Sequence, residues 1–182
     1  MSLILKTEPV GIDCTIDRFQ KLIYNALSTS FNGEWDCYPR IYKTKAKDLR
    51  GNEYFKPEYS SGKYGDYKEV LFNDKVSITS FFLVSDEVDV DNGITTTQVD
   101  IIFASDLVKA LNIKNHREDE EFIVMLTKQF KKTMISTWDL QRIIKGVDNV
   151  YQEFERSNVA WSDIQNRNVV RFSFRVNYEI DC

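Results

Sequence analysis

Between Val169 and Ile180 the chain alternates without interruption. Val170, Phe172, Phe174, Val176, Tyr178 and Ile180 fall on one side, and Arg171, Ser173, Arg175, Asn177 and Glu179 fall on the other. A period of two, free of Gly and Pro, specifies a strand with one buried and one wet face. At about 3.3 Å per residue this strand spans roughly 40 Å, which requires a large sheet or a strand that outruns its neighbours. The rest of the sequence must supply those neighbours and the cover for one face.

A chain of 182 residues with 42% apolar composition can do so as one domain over residues 1–182. Its 24 Lys and Arg against 28 Asp and Glu leave a formal charge of -4, with no global attraction for nucleic acid or an anionic membrane. Cys14, Cys37 and Cys182 form neither a CxxC pair nor an even-numbered framework, which favours a reducing compartment. The first residues, with Lys6 and Glu8, lack an apolar signal core, and no long apolar window occurs later, so neither secretion nor membrane spanning is expected. The single histidine, His116, sits in the polar run Asn115-His116-Arg117-Glu118 and reads as solvent-exposed. Neither zinc nor a Ser/His triad is expected, and no cofactor is implied.

Met1 to Gly11 reads as an extended arm. A helix capped by Asp13 or Thr15 should run from there to about Leu27, because Ile16, Phe19, Ile23 and Ala26 or Leu27 recur at spacings of three and four. Asp17, Gln20, Lys21 and Asn25 would form its outer face. Asn32-Gly33 then turns the chain toward a strand near Cys37 to Lys45 whose apolar face is ambiguous. From Thr44 to about Tyr67 no period holds, although Tyr54, Tyr59, Tyr64 and Tyr67 recur among glycines and lysines. An extended arm is expected there, as a long loop or a projecting hairpin, with its tyrosines folded back on the domain or touching a partner. The interleaved acids Glu53, Glu58, Asp66 and Glu69 argue against nucleic acid stacking on these rings.

Asn92-Gly93 is a type I′ turn signal between two apolar runs. Counting outward sets Asp91 opposite Ile94, Val84 opposite Ile101 and Phe82 opposite Phe103, with Ile78 and Val99 on the same face. The acidic tip, residues 86–97, should protrude and offers Asp89, Asp91 and Asn92 as contact residues. Calcium is not favoured: no register starting at Glu87 or Asp89 supplies the glycine and glutamate of an EF-hand loop.

Ser105 or Asp106 can cap a short helix to Leu111. A longer helix is expected over 118–136, ridged by Phe122, Leu126, Phe130 and Met134, with acids at its start and lysines farther on. Residues 138–146 fit strand or helix, and a strand from about Ile143 to Phe154, broken near Gly146, is preferred. Trp161, in the next connection, either closes the sheet edge or faces a neighbour. The whole is α+β: one mostly antiparallel sheet, helices packed on one face and a long protruding hairpin. The other face, bearing Arg171 and Arg175, should meet water or a polar interface.

This order of elements, ending in Val169-Val170-Arg171-Phe172-Ser173-Phe174-Arg175-Val176-Asn177-Tyr178, resembles the tail-terminator and tail-completion (neck) proteins of tailed bacteriophages and prophages. The resemblance covers most of the chain as element order, without a short diagnostic motif. It implies a non-enzymatic structural protein that forms a homo-oligomeric ring, six subunits among the options, and binds other tail or neck proteins. It also implies a place in the host cytoplasm during assembly and then in the virion. Tyr54, Tyr59, Tyr64, Tyr67, Asp89, Asp91, Asn92, Arg171 and Arg175 would lie at the contacts. The rival readings are a magnesium-dependent nuclease using Asp100, although no Glu-x-Lys triplet comes after it, and a small nucleic-acid-binding accessory protein.

Overall fold

The computed structural model describes residues 2–60, 62, 66–70, 75–111, 119–133, 137–152, 154 and 167–179. In chain order these hold β1 (Ser2–Leu3), α1 (Ile12–Leu27), β2 (Trp35–Lys47), β3 (Glu53–Ser60), β4 (Tyr67–Glu69), β5 (Ile78–Asp91) and β6 (Ile94–Ser105). Then come α2 (Leu107–Leu111), α3 (Asp119–Thr133), β7 (Trp138–Lys145), α4 (Val147–Val150) and β8 (Asn168–Tyr178). The strands form one sheet in the order β4-β3-β2-β5-β6-β8-β7, with β1 beside β2. Among the described residues only β1–β2 and β2–β5 are parallel pairs, so the sheet is mixed and mostly antiparallel, in line with the α+β expectation.

The alternating C-terminal segment is the interior strand β8, flanked along its length by β6 and over most of it by β7. Its length is met by a large sheet rather than by an overhang; Ile180 lies outside the described residues. Val170, Phe172, Phe174 and Val176 are buried under α1 and α3. From α1 come Ile12, Ile16, Phe19, Ile23 and Leu27, and from α3 Phe122, Leu126 and Phe130. Phe130 meets Phe172 and Phe174 edge-on at centroid distances of 4.9 and 5.5 Å, an arrangement that suits the quadrupoles of the rings. Trp138 stacks on Phe19 at 4.2 Å. Met134 of the expected ridge lies outside the described residues.

Helix α1 departs from expectation at its start and on its outer face. It begins at Ile12, with Gly11 at the cap position (φ 56) and no side-chain cap. Asp13 is ion-paired to Lys6 instead of capping. Asp17 and Gln20 are buried, and only Lys21 and Asn25 of the expected wet face are exposed. The N-terminal segment folds across that side of the helix. There the Gln20 amide donates to the carbonyls of Ile4 and Cys37, 3.0 Å each, satisfying backbone groups where the chain enters the sheet.

Three strand irregularities explain why the alternation is hard to read elsewhere. In β2 the pairing with β5 shifts between Cys37 and Arg40, around Pro39, which has no N–H to give to a ladder. Trp35 and Cys37 therefore join the helix-side core, whereas Tyr38 and Ile41 join the opposite side. In β7 Gln141 is an extra residue between Leu140, opposite Phe174, and Arg142, opposite Ser173, which flips the parity of the residues beyond it. The strand thus occupies Trp138–Lys145 rather than the expected 143–154, and Gly146 (φ 87) ends it before α4. In β5 three residues, 85–87, stand against Gln98 alone. Val84 consequently faces Val99 and Phe82 faces Ile101, two places from the expected register. A shift of two keeps every side chain on its face, so Ile78, Phe82, Val84, Val99, Ile101 and Phe103 all remain in the helix-side core.

The second face of the sheet is not uniformly wet. Phe81, Ile102, Ala104 and Val169 are buried there beneath Val150, Tyr151 and Phe154, so α4 is the exception to helices gathered on one side. Farther along the same face Asp100, Arg171 and Ser173 are buried too, and Lys45, Lys47, Glu87, Asp89 and Asp91 are exposed on its open part. Cys37 is a free, fully buried thiol whose pKa burial pushes up to about 12 despite hydrogen bonds to Ser80 and Gln20. Cys14 is disulfide-bonded, a link that the odd cysteine count did not announce.

Candidate functional site

Because β2 and β5 are parallel neighbours, the hairpins they begin leave the sheet at the same end. Pairing between them stops at Ile41 and Leu83, after which β2 runs on to Lys47 and β5 to Asp91. A cleft of about 430 Å³ separates them, lined by Arg40, Ile41, Tyr42, Lys43 and Phe55 on one side and Leu83, Val84 and Asp86 on the other. Within the expected arm from Thr44 to Tyr67, the described residues form the hairpin alternative: β3 pairs with β2 and then with β4. Asp48 closes its turn: the carboxylate accepts the N–H groups of Arg50 and Asn52 at 2.8 Å and the Asn52 amide at 2.9 Å, with Gly51 at φ 84. These bonds, the Asn52 side chain first, hold the Asp48 carboxyl below the usual carboxylate range.

The second turn is Asn92-Gly93, with both residues at positive φ, 50 and 83, as type I′ geometry demands. Its stem carries the wide bulge at 85–87. There Ser85 Oγ accepts the Glu87 N–H at 3.1 Å, and Thr97 Oγ1 donates to the Glu87 carbonyl at 2.9 Å. Unlike the first hairpin, this one is backed almost to its tip, since Thr95 on β6 pairs with Tyr178 on β8.

Strand parity sorts the charges of the two hairpins. Arg40 and Tyr42 turn toward α1, where Lys6 donates to the Tyr42 hydroxyl at 3.1 Å and Arg40 lies 3.8 Å from Asp13. Lys43, Lys45 and Lys47 therefore share the open face with Ile41 and, across the pair, with Pro57, Phe55 and Glu53. Glu53 is the common ion-pair partner of Lys45 (3.5 Å) and Lys47 (4.0 Å). On β5, Glu87, Asp89 and Asp91 stand on the same open face, beside Thr96, Gln98 and Asn177. The edge-protecting value of such charges is ordinary: both stems have an open backbone edge on the cleft, and exposed charges discourage uncontrolled strand addition.

The expected contact residues divide among these surroundings. Asp89, Asp91 and Asn92 are exposed at the acidic tip. Tyr67 is 55% exposed and meets Tyr42 edge-on at 5.9 Å. Tyr54 is half-buried, and Tyr59 folds back on its own sheet with its ring 5.0 Å from Tyr38. Tyr64 lies outside the described residues, as do His116 and Trp161. Arg175 is exposed between Gln98 and Asp139. Arg171 is the correction: it is 3% exposed and ion-paired to Asp100, which is 2% exposed. It does not meet water, because its guanidinium is needed to neutralise a carboxylate carried into the sheet. The lysine row was missed, although Lys43-Thr44-Lys45-Ala46-Lys47 displays it at steps of two.

Around Asp100 the polar atoms are densely connected. Gln98 Nε2 donates to both carboxylate oxygens at 3.1 Å, Arg171 donates to one of them, and Arg142 Nε donates to Ser173 Oγ at 3.3 Å. A carboxylate so engaged is a structural counter-ion, and this geometry lends nothing to Asp100 as a magnesium ligand. Among the described residues no three His, Cys, Asp or Glu side chains converge to hold a metal ion. No helix among them is long and apolar enough to cross a membrane. Comparisons with protein-family models, curated proteins and solved structures give no match.

Proposed function

We propose that this chain is a non-enzymatic structural subunit that self-assembles into a closed ring through its two hairpins. The class it fits best is that of the tail-terminator and neck components of tailed bacteriophages and prophages. The observation that carries the reading is the pair of extensions of opposite charge leaving one end of a rigid sheet. The first bears Lys43, Lys45, Lys47, Arg50 and Lys56 against Asp48, Glu53 and Glu58, and the second bears Asp86, Glu87, Asp89 and Asp91 with no basic residue. A ring needs two different, mutually fitting surfaces on each subunit, and projections provide them without a large apolar patch. On this reading the chain works in the host cytoplasm during assembly and remains in the virion, in contact with other tail or neck proteins. Light scattering and negative-stain microscopy across a concentration series test it. Discrete closed rings are expected; a monomer at every concentration, with or without tail-tube protein, would overturn it.

A further inference from the structure

We infer that the outer edge of β5, from Val88 to Asp91, takes up an extended basic segment of another protein as an added antiparallel strand. This goes beyond the ring reading, because it concerns a backbone edge and a different partner rather than a contact between copies.

The edge is open by geometry. Among the described residues nothing pairs with β5 on its β2 side beyond Leu83. In a hairpin closed by a two-residue type I′ turn, the residues flanking the turn exchange both backbone bonds, and the exchange recurs at every second pair. Asp91 with Ile94 and Asp89 with Thr96 are therefore the bonded pairs, which leaves the N–H and C=O groups of Val88 and Val90 directed into the cleft. The side chains of this edge are sorted by the same register. Val88 and Val90 lie on the side of Val84 and Val99 yet are 48% and 66% exposed, and Glu87, Asp89 and Asp91 lie on the other side. An antiparallel strand bonded to Val88 and Val90 sets its directly opposed residues beside these valines and its intervening residues beside the acids. Apolar and basic residues in alternation satisfy both, with main-chain bonds supplying affinity and side chains selectivity.

The charges select a foreign segment over a second copy. No Lys or Arg occurs from Ser85 to Gln98, and among the described residues Asp89 and Asp91 have no ion-pair partner. Two β5 edges joined about a twofold axis would set these acids against one another, a repulsive arrangement. The β2 edge of another copy is a poor donor as well: Lys43 has a partner within its own chain and lines a cavity of about 230 Å³ with Asp86 and Glu87 of that chain.

The test is fluorescence anisotropy of the full-length protein with a short labelled peptide that alternates lysine and valine. Binding should weaken as salt rises. It should fall at least about tenfold when glutamate replaces lysine in the peptide. It should fall as far when the backbone nitrogens of the peptide's valines are methylated, since in antiparallel addition those N–H groups are the ones that reach β5. Methylating the lysine nitrogens, which point away from β5, should leave most of the binding. Val90→Pro removes an N–H that the β5–β6 ladder does not use, so it should also cut binding at least about tenfold while circular dichroism melting shows a folded protein. If that variant unfolds, the methylated peptides decide alone. No binding, or equal binding of the glutamate peptide, overturns the inference. Equal binding of the valine-methylated peptide overturns it too, as charge attraction without strand pairing. Self-association of the parent that Val90→Pro abolishes, with no peptide bound, would assign the edge to a second copy and likewise overturn it. Ring formation is read separately by light scattering: a monomer that binds the peptide keeps the added strand and loses the ring.

Discussion

Phe172 and Arg171 are adjacent on β8, and both are shut away from solvent, at 0% and 3% exposure. Phe172 points toward α3 and is enclosed by rings, with Phe103 and Phe130 packed edge-on against it. Arg171 points the other way and is enclosed with Asp100, Gln98 holding the carboxylate from the side. The helix-covered face thus buries its strands with apolar area, whereas part of the opposite face buries them with a charge pair. Area contributes whichever residue supplies it, but a buried charge is tolerated only while its partner remains.

Truncation should expose that difference. Phe130→Ala is expected to cost about 3–5 kcal/mol in urea unfolding, through lost burial and the cavity left among Phe19, Phe172 and Phe174. Arg171→Ala should cost a comparable ~3–5 kcal/mol by leaving the Asp100 carboxylate buried without its guanidinium. The double replacement Arg171→Met with Asp100→Leu should then return to within about 1–2 kcal/mol of the parent, because two apolar groups remove the need for pairing. A double variant as unstable as Arg171→Ala would mean that the polar face depends on the pair itself, and the contrast between the faces would fail.

A smaller effect is expected at Asp17. Burial raises its carboxyl above the ordinary value, opposed by a hydrogen bond from the Lys6 backbone. The folded protein therefore favours the neutral form: the stabilisation is fully present below the unfolded pKa and is lost as pH rises through the raised folded one. Asp17→Asn, which can still accept the Lys6 N–H, should stabilise the protein by up to about 1 kcal/mol at neutral pH, and that gain should vanish in acid. Melting curves at the two pH values decide it, and a loss at neutral pH would show that the charge at Asp17 is needed. The smallest change belongs to Asp89→Asn, on the same face as Asp100 but exposed. It should alter the stability of a single subunit by no more than about 0.5 kcal/mol, measured by the same melts in high salt. A larger loss would mean that the acidic tip is part of the fold rather than a surface.

The candidate site was half legible in advance. Asp89, Asp91 and Asn92 stood out because a two-residue turn signal fixes the residues at a hairpin tip. Lys43, Lys45 and Lys47 did not, because the bulge at Pro39 upstream blurred which residues of β2 share a face. Residues 53–60 hid a strand for a related reason: as an outer strand β3 alternates only in its first half, then buries Pro57 and Glu58 in succession.

Local pattern alone determined β8, the Asn92-Gly93 turn, the ridge of α3 and the α+β class, since each depends on a period or a dihedral preference carried by neighbouring residues. Tertiary structure decided the bulges, the second core under α4, the direction shared by the two hairpins and the burial of Arg171. An inserted residue changes which face a side chain occupies without changing the composition around it. The carboxylate that makes Arg171 tolerable inside the sheet lies 71 residues away along the chain, beyond the reach of any local period.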